Sequence, residues 1–164
     1  ARFSRLAAQR GLFTLALDLD PAAIEHAWAE VQKRKETNLL PLVMDLTDPS
    51  PARGFAHTER DSLQARGPAD LGLALALIHH LAIGHNIPLK RLAAFFADNC
   101  RWLILEFVPK ADSQVQRLLS SRRDIFPTYH EEGFQEAFEP YFTFRANARI
   151  EGSQRTLYLL ERRS

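Results

Sequence analysis

Asp18-Leu19-Asp20-Pro21 is the segment whose residue types and spacing could do the most chemistry. It lies between an apolar run, Phe13 to Leu17, that reads as a buried strand, and an amphipathic pattern, Ala22 to Lys35, that reads as a helix. A carboxylate at the carboxyl end of a strand in a β-α unit can accept both hydroxyls of a nucleotide ribose, and Asp18 stands at that position. Asp20 reads as the helix N-cap and Pro21 as the first helical residue, where its missing N–H costs nothing. The alternative for Asp18 is a solvated strand-end carboxylate or a second helix cap. A further carboxylate, Asp45, follows the run Leu39 to Met44, in which Pro41 points to a sheet edge. Asp48-Pro49 lies close by, so Asp45 reads equally well as an Asx-turn residue.

His79-His80 is the other reactive-looking pair. An unperturbed imidazole titrates near neutrality, so either ring could serve as a base for an acceptor hydroxyl or amine. The competing reading has at least one of them capping a short helix. Adjacent strand residues point to opposite faces, and no acidic or thiol residue sits at helical spacing, so the pair makes a poor zinc site. Glu106 ends an apolar run, where burial demands a partner such as Lys110 or a loop N–H. Glu59, Arg60 and Arg66 fall in a loop, placed to cover a substrate or simply solvated. Ser50, Ser62 and Ser153 lack the glycine elbow of a nucleophilic serine.

These residues need a scaffold, and 164 residues suffice for one domain with a real core. Hydrophobic residues make up 46% and charged residues 25%, as in ordinary globular proteins. The net charge of +1, from 21 basic and 20 acidic residues, gives no field that favours nucleic acid or an anionic membrane. A single cysteine, Cys100, rules out an internal disulfide and a thiolate zinc cage. It fits a reducing, cytoplasmic setting. No stretch resembles a signal peptide, and the longest uncharged apolar run, Leu71 to Ile78, is too short to span a bilayer.

The positioning elements follow from periodicity. Ala1 to Arg10 reads as a helix ending at Gly11, followed by the strand to Leu17, the helix to Lys35 and the edge strand to Met44. Residues 46 to 68 read as a long loop with one helical turn. Ala74 to Ile78, continuing from Leu71, reads as a central parallel strand because it is apolar on both faces. Pro88 to Ala97 is a helix, Trp102 to Phe107 a buried strand, and Ala111 to Ser121 and Glu131 to Phe138 are helices. Tyr141 to Arg149 and Arg155 to Glu161 flank Glu151-Gly152-Ser153, a hairpin signal. The strands are expected to centre on Leu15, Leu75 and Ile104, buried between helices on both sides.

Four segments in this order, LALDLDP (15–21), LVMDLTDP (42–49), ADLGLALALIHHL (69–81) and LILEFVPKAD (103–112), resemble class I S-adenosylmethionine-dependent methyltransferases. The closing RTLYLLER (155–162) is similar to the antiparallel end of that family's sheet. The paired histidines and EFVPK further resemble a bacterial group linked to nodulation-type proteins. The resemblance spans nearly the whole chain. It implies an α/β fold: a three-layer, doubly wound, mostly parallel sheet with a C-terminal antiparallel hairpin, as a single domain over residues 1–164. It also implies a transferase that binds S-adenosylmethionine. Residue by residue, Asp18 matches the carboxylate used for the cofactor ribose, and Leu19 would lie against the adenine. Asp45 matches the position that meets the adenine amino group, with Leu46 beside it. His79 and His80 match the segment facing the methyl group and its acceptor.

One departure is large. The family's first strand and its glycine-rich turn have no counterpart here, and Ala1 to Arg10 matches the helix that follows them. The chain is therefore expected to be N-terminally truncated relative to the family. The family's strand order, 3-2-1-4-5-7-6, would then lack its centre. Two strands would lose a common neighbour, which invites strand pairing with another chain. The leading expectation is methyl transfer to an unidentified acceptor, incomplete in this segment. A non-catalytic methyltransferase-like scaffold or interaction domain is the alternative. Another doubly wound nucleotide enzyme, such as a dehydrogenase, is disfavoured by the antiparallel closing hairpin.

Overall fold

The computed structural model describes residues 2–164, which form two compact units, 2–52 and 53–164. In the first, α1 (Arg2–Ala8) leads through Gly11, at φ +83°, into β1 (Thr14–Asp18). Then come α2 (Pro21–Arg34) and β2 (Leu39–Val43). Asp20 caps α2 as its sequence position dictates: its backbone is extended and its carboxylate accepts the Ala22 N–H at 2.9 Å. Lys35 closes the helix in the left-handed conformation. The apolar face of α2 buries Ile24, Ala27 and Val31, and Val31 packs in one cluster with Ala16 of β1 and Leu39 of β2. The strands pair in parallel, with Asp18 opposite Val43.

The second unit opens with an irregular stretch containing two single 3-10 turns, Phe55–His57 and Gln64–Arg66. It continues through β3 (Ala69–Ala74), a π-helical turn (His80–Gly84) and α3 (Leu89–Asn99). Next come β4 (Cys100–Phe107), α4 (Ser113–Leu119) and α5 (Glu131–Phe138). The unit closes with β5 (Phe142–Arg149) and β6 (Thr156–Arg162). Its sheet has the order β3-β4-β6-β5, with β3 parallel to β4, and β6 antiparallel to both β4 and β5. The orders β2-β1 and β3-β4-β6-β5 reproduce the 3-2 and 4-5-7-6 portions that the sequence resemblance implies. Among the described residues β1 pairs only with β2 and β3 only with β4, so each ends its ladder.

The core of this unit is aromatic. Leu103, Leu105 and Phe107 of β4 stand opposite Leu160, Tyr158 and Thr156 of β6, and all six are buried. Phe134 of α5, fully buried, stacks on Phe107 at 5.3 Å and meets the rings of Phe138, Phe144 and Tyr158.

Two sequence expectations fail in detail. β3 starts and stops earlier than the apolar run suggests, so Leu75 lies beyond the strand. The cause is Ala76, whose φ of +49° cannot continue a strand. Uniform apolarity also does not bury both faces, because Leu15 is 47% exposed and Leu71 and Leu73 about as open.

Candidate functional site

The predicted cofactor residues gather at the carboxyl ends of β1 and β2. Asp18 ends β1, and its carbonyl accepts the Met44 N–H at 2.9 Å, which carries the ladder one step beyond β2. The exposed Asp18 carboxylate accepts the Asp20 N–H through Oδ1 at 3.1 Å. Leu19 follows it, 56% exposed. On the neighbouring strand end, Asp45 Oδ1 accepts both the backbone N–H and the hydroxyl of Thr47, at 2.8 and 2.7 Å. This is the Asx-turn chemistry its sequence context allows. Leu46 is half-buried beside it.

His79 and His80 lie in the other unit, after β3, so the predicted residues form two groups. The strand ends at Ala74, and the backbone of His79 is helical, which lets the two rings meet rather than oppose. Their centroids are 4.2 Å apart, with planes inclined by 38°. The pair then divides sharply. His79 is 1% exposed and its Nδ1 has no hydrogen-bond partner among the described residues, whereas His80 is exposed. Burial, helped by the neighbouring His80 and Arg155 and opposed by Asp112, pushes the His79 ring down to about 4, so it is neutral at pH 7. The histidines open the π-helical turn, which closes with the His85 N–H donating to the His80 carbonyl at 3.1 Å. Arg122 secures the far end of the turn. It donates to the carbonyls of Ile83 and Gly84 and to Asn86 Oδ1, and its guanidinium lies 5.1 Å from the Phe126 ring centre.

Sequence reasoning missed a charge chain whose Arg155 and Asp112 act electrostatically on His79. Buried Glu106, at the end of β4, accepts the Ala76 N–H at 2.9 Å and the Arg155 guanidinium at 2.9 Å. Arg155 makes two further bonds to Asp112, at 2.7 and 3.1 Å. Asp112 also caps α4 by accepting the Gln114 N–H. The Arg155 bonds hold the Asp112 carboxyl below the usual carboxylate range, against the opposing effect of burial. Of the two partners expected for Glu106, the loop N–H is found at Ala76, whereas Lys110 instead bonds Asp124. The demand for a Glu106 partner was legible, but Arg155 lies 49 residues away with no local signal. Among the described residues, no group of three or more His, Cys, Asp or Glu side chains converges to hold a metal ion. No helix there is long and apolar enough to cross a membrane.

Comparison with known proteins fits this architecture. Over 162 residues the chain is 42% identical to nodulation protein NoeA of Rhizobium meliloti (strain 1021), a match spanning 98% of the chain and 34% of NoeA. It thus spans about a third of that curated relative. Among solved structures it is similar to the bifunctional kinase-methyltransferase WbdD (TM-score 0.66, 18% identity, 98% of this chain and 32% of that one). It is also similar to PH0226 protein from Pyrococcus horikoshii OT3 (TM-score 0.61, 16% identity, 98% and 76%). No protein-family model matches the chain. The fold is methyltransferase-like, and the chain is related to a nodulation protein, as the sequence resemblance implied.

Proposed function

We propose that this protein transfers a methyl group from S-adenosylmethionine to an acceptor bearing a nucleophilic hydroxyl or amine. The observation that carries the reading is an exposed strand-end carboxylate, Asp18, on a methyltransferase-like fold. The residues present suit the cofactor. One oxygen of Asp18 takes the Asp20 N–H, and the other takes no hydrogen bond among the described residues, leaving it to accept ribose hydroxyls. Exposed Leu19 offers apolar surface for a purine face, with Leu46 as its counterpart. Asp45 would accept the adenine amino group while Thr47 holds its carboxylate in place.

When bound, S-adenosylmethionine supplies a methyl carbon on a positively charged sulfur, which leaves with the bonding electron pair. The chain's own task is alignment more than acid–base chemistry, because direct displacement depends on holding nucleophile and carbon in line. His80 is the ring able to reach an acceptor and take its proton, because His79 is sealed from solvent. His79 then orients His80 by ring contact and stays neutral, so the pair does not carry two adjacent charges.

A scaffold role is the second reading. It is favoured by the apolar side chains of Leu15, Leu71 and Leu73, each at least 40% exposed, which would suit association. Calorimetric titration of the full-length protein with S-adenosylmethionine separates the two. Saturable binding supports the enzyme, and no binding at millimolar cofactor supports the scaffold.

A further inference from the structure

A single guanidinium, that of Arg155, ties together four segments of the second unit. It stands just before β6 and bonds Glu106 at the end of β4 and Asp112 at the N-cap of α4. Through Glu106 it reaches the N–H of Ala76, just past β3. Ala76 is the residue most in need of such restraint. Its φ of +49° is unfavourable for any residue with a β-carbon, and the conformation persists only where surrounding contacts over-determine it. His79 and His80 begin three residues later, so the direction of this turn sets where their rings stand. The same guanidinium and Asp112 lie close enough to His79 to act on its charge.

Stability alone is a poor reason for such a device. The side chains of Glu106, Asp112 and Arg155 are 9%, 12% and 23% exposed. Desolvating three charges offsets much of their mutual attraction, and well-packed apolar residues often replace a buried ion network at no loss. What apolar residues could not supply is a directed acceptor for the Ala76 N–H, held at a fixed angle by a planar two-sided fork.

We propose that Arg155 is a positioning residue: acting through Glu106 and the left-handed turn at Ala76, it fixes the paired histidines on the acceptor side. The inference rests on the methyl-transfer reading for what those histidines do, but its test does not.

The test uses 15N-labelled full-length protein, wild type beside Arg155→Met and Arg155→Lys. Lysine keeps the charge but cannot grip both carboxylates at once, and it protects the experiment should the methionine variant fail to fold. Amide hydrogen exchange is followed at Ala76, with Leu103 and Leu160 as ladder controls, and the ring nitrogens of His79 and His80 are observed directly. The role predicts that exchange at Ala76 accelerates about tenfold or more beyond any acceleration at the controls, which report the loss of global stability, as expected when a charge-assisted bond loosens locally. Both histidine ring signals should shift in the same variants. Unchanged Ala76 exchange with unchanged rings overturns the proposal. Equal acceleration at Ala76, Leu103 and Leu160 also overturns it, since that marks a bridge supporting the fold as a whole. No cofactor is needed for these readouts, so failure to bind S-adenosylmethionine would refute the functional reading and leave this result standing.

Discussion

Asp112→Asn and Asp112→Ala, taken together, divide one residue's stabilisation into a charged and an uncharged part. The carboxylate makes two bonds to Arg155 and accepts the Gln114 N–H at the start of α4. A charge-assisted pair contributes roughly 1.5–3 kcal/mol. With the partner side chains 12% and 23% exposed, solvent screening lowers this to about 1–2 kcal/mol. The cap adds about 1 kcal/mol. Asparagine keeps a cap acceptor and loses the ion pair, so it should cost about 1–2 kcal/mol, and alanine about 2–3 kcal/mol. Because Arg155 depresses the Asp112 pKa, the ion-pair contribution is fully present above the unfolded value, about 3.9, and is lost as pH falls through the lower folded value. Urea unfolding at pH 7 and near pH 2 reads both parts. The wild-type advantage over the asparagine variant should shrink in acid, while the difference between asparagine and alanine persists. An asparagine penalty as large in acid as at neutrality would refute the electrostatic reasoning.

Three further outcomes follow from the structure. Phe134→Ala should destabilise the second unit by about 3–5 kcal/mol in urea unfolding, since the ring is fully buried among four aromatic neighbours. The His79 ring should titrate near pH 4 by NMR, below its ordinary 6.5. Its folded pKa is depressed, so its contribution to stability is complete above about pH 6.5 and lost as acid approaches about 4; a titration near neutrality contradicts the burial argument. Cys100, 3% exposed and pushed up to about 11 by burial, should resist alkylation at pH 8 in the folded protein and react readily once unfolded.

The parts of the fold legible in the sequence were those governed by local rules. Asp20-Pro21 announces the start of α2 because cap and first-turn chemistry need only neighbouring atoms. Glu151-Gly152-Ser153 announces the closing hairpin for the same reason, with Gly152 at φ +71°. The end of β3 was illegible, because no alanine signals a left-handed turn and what holds Ala76 there is Glu106, 30 residues away. Burial was misjudged along the same run, since apolarity states what a strand tolerates and not what covers it. For the candidate site, residue types were readable but pairings were not. His79 and His80 are indistinguishable in sequence, yet one is sealed and the other exposed.

The central claim is that Asp18 holds the ribose of S-adenosylmethionine, and calorimetry on full-length wild type and Asp18→Ala tests it most directly. Removing a charged acceptor of two hydrogen bonds should weaken cofactor binding by about 2–4 kcal/mol, roughly 30- to 1,000-fold. The exposed setting of Asp18 argues that the variant still folds with an unchanged unfolding midpoint. Cofactor affinity equal in the two proteins would contradict the account.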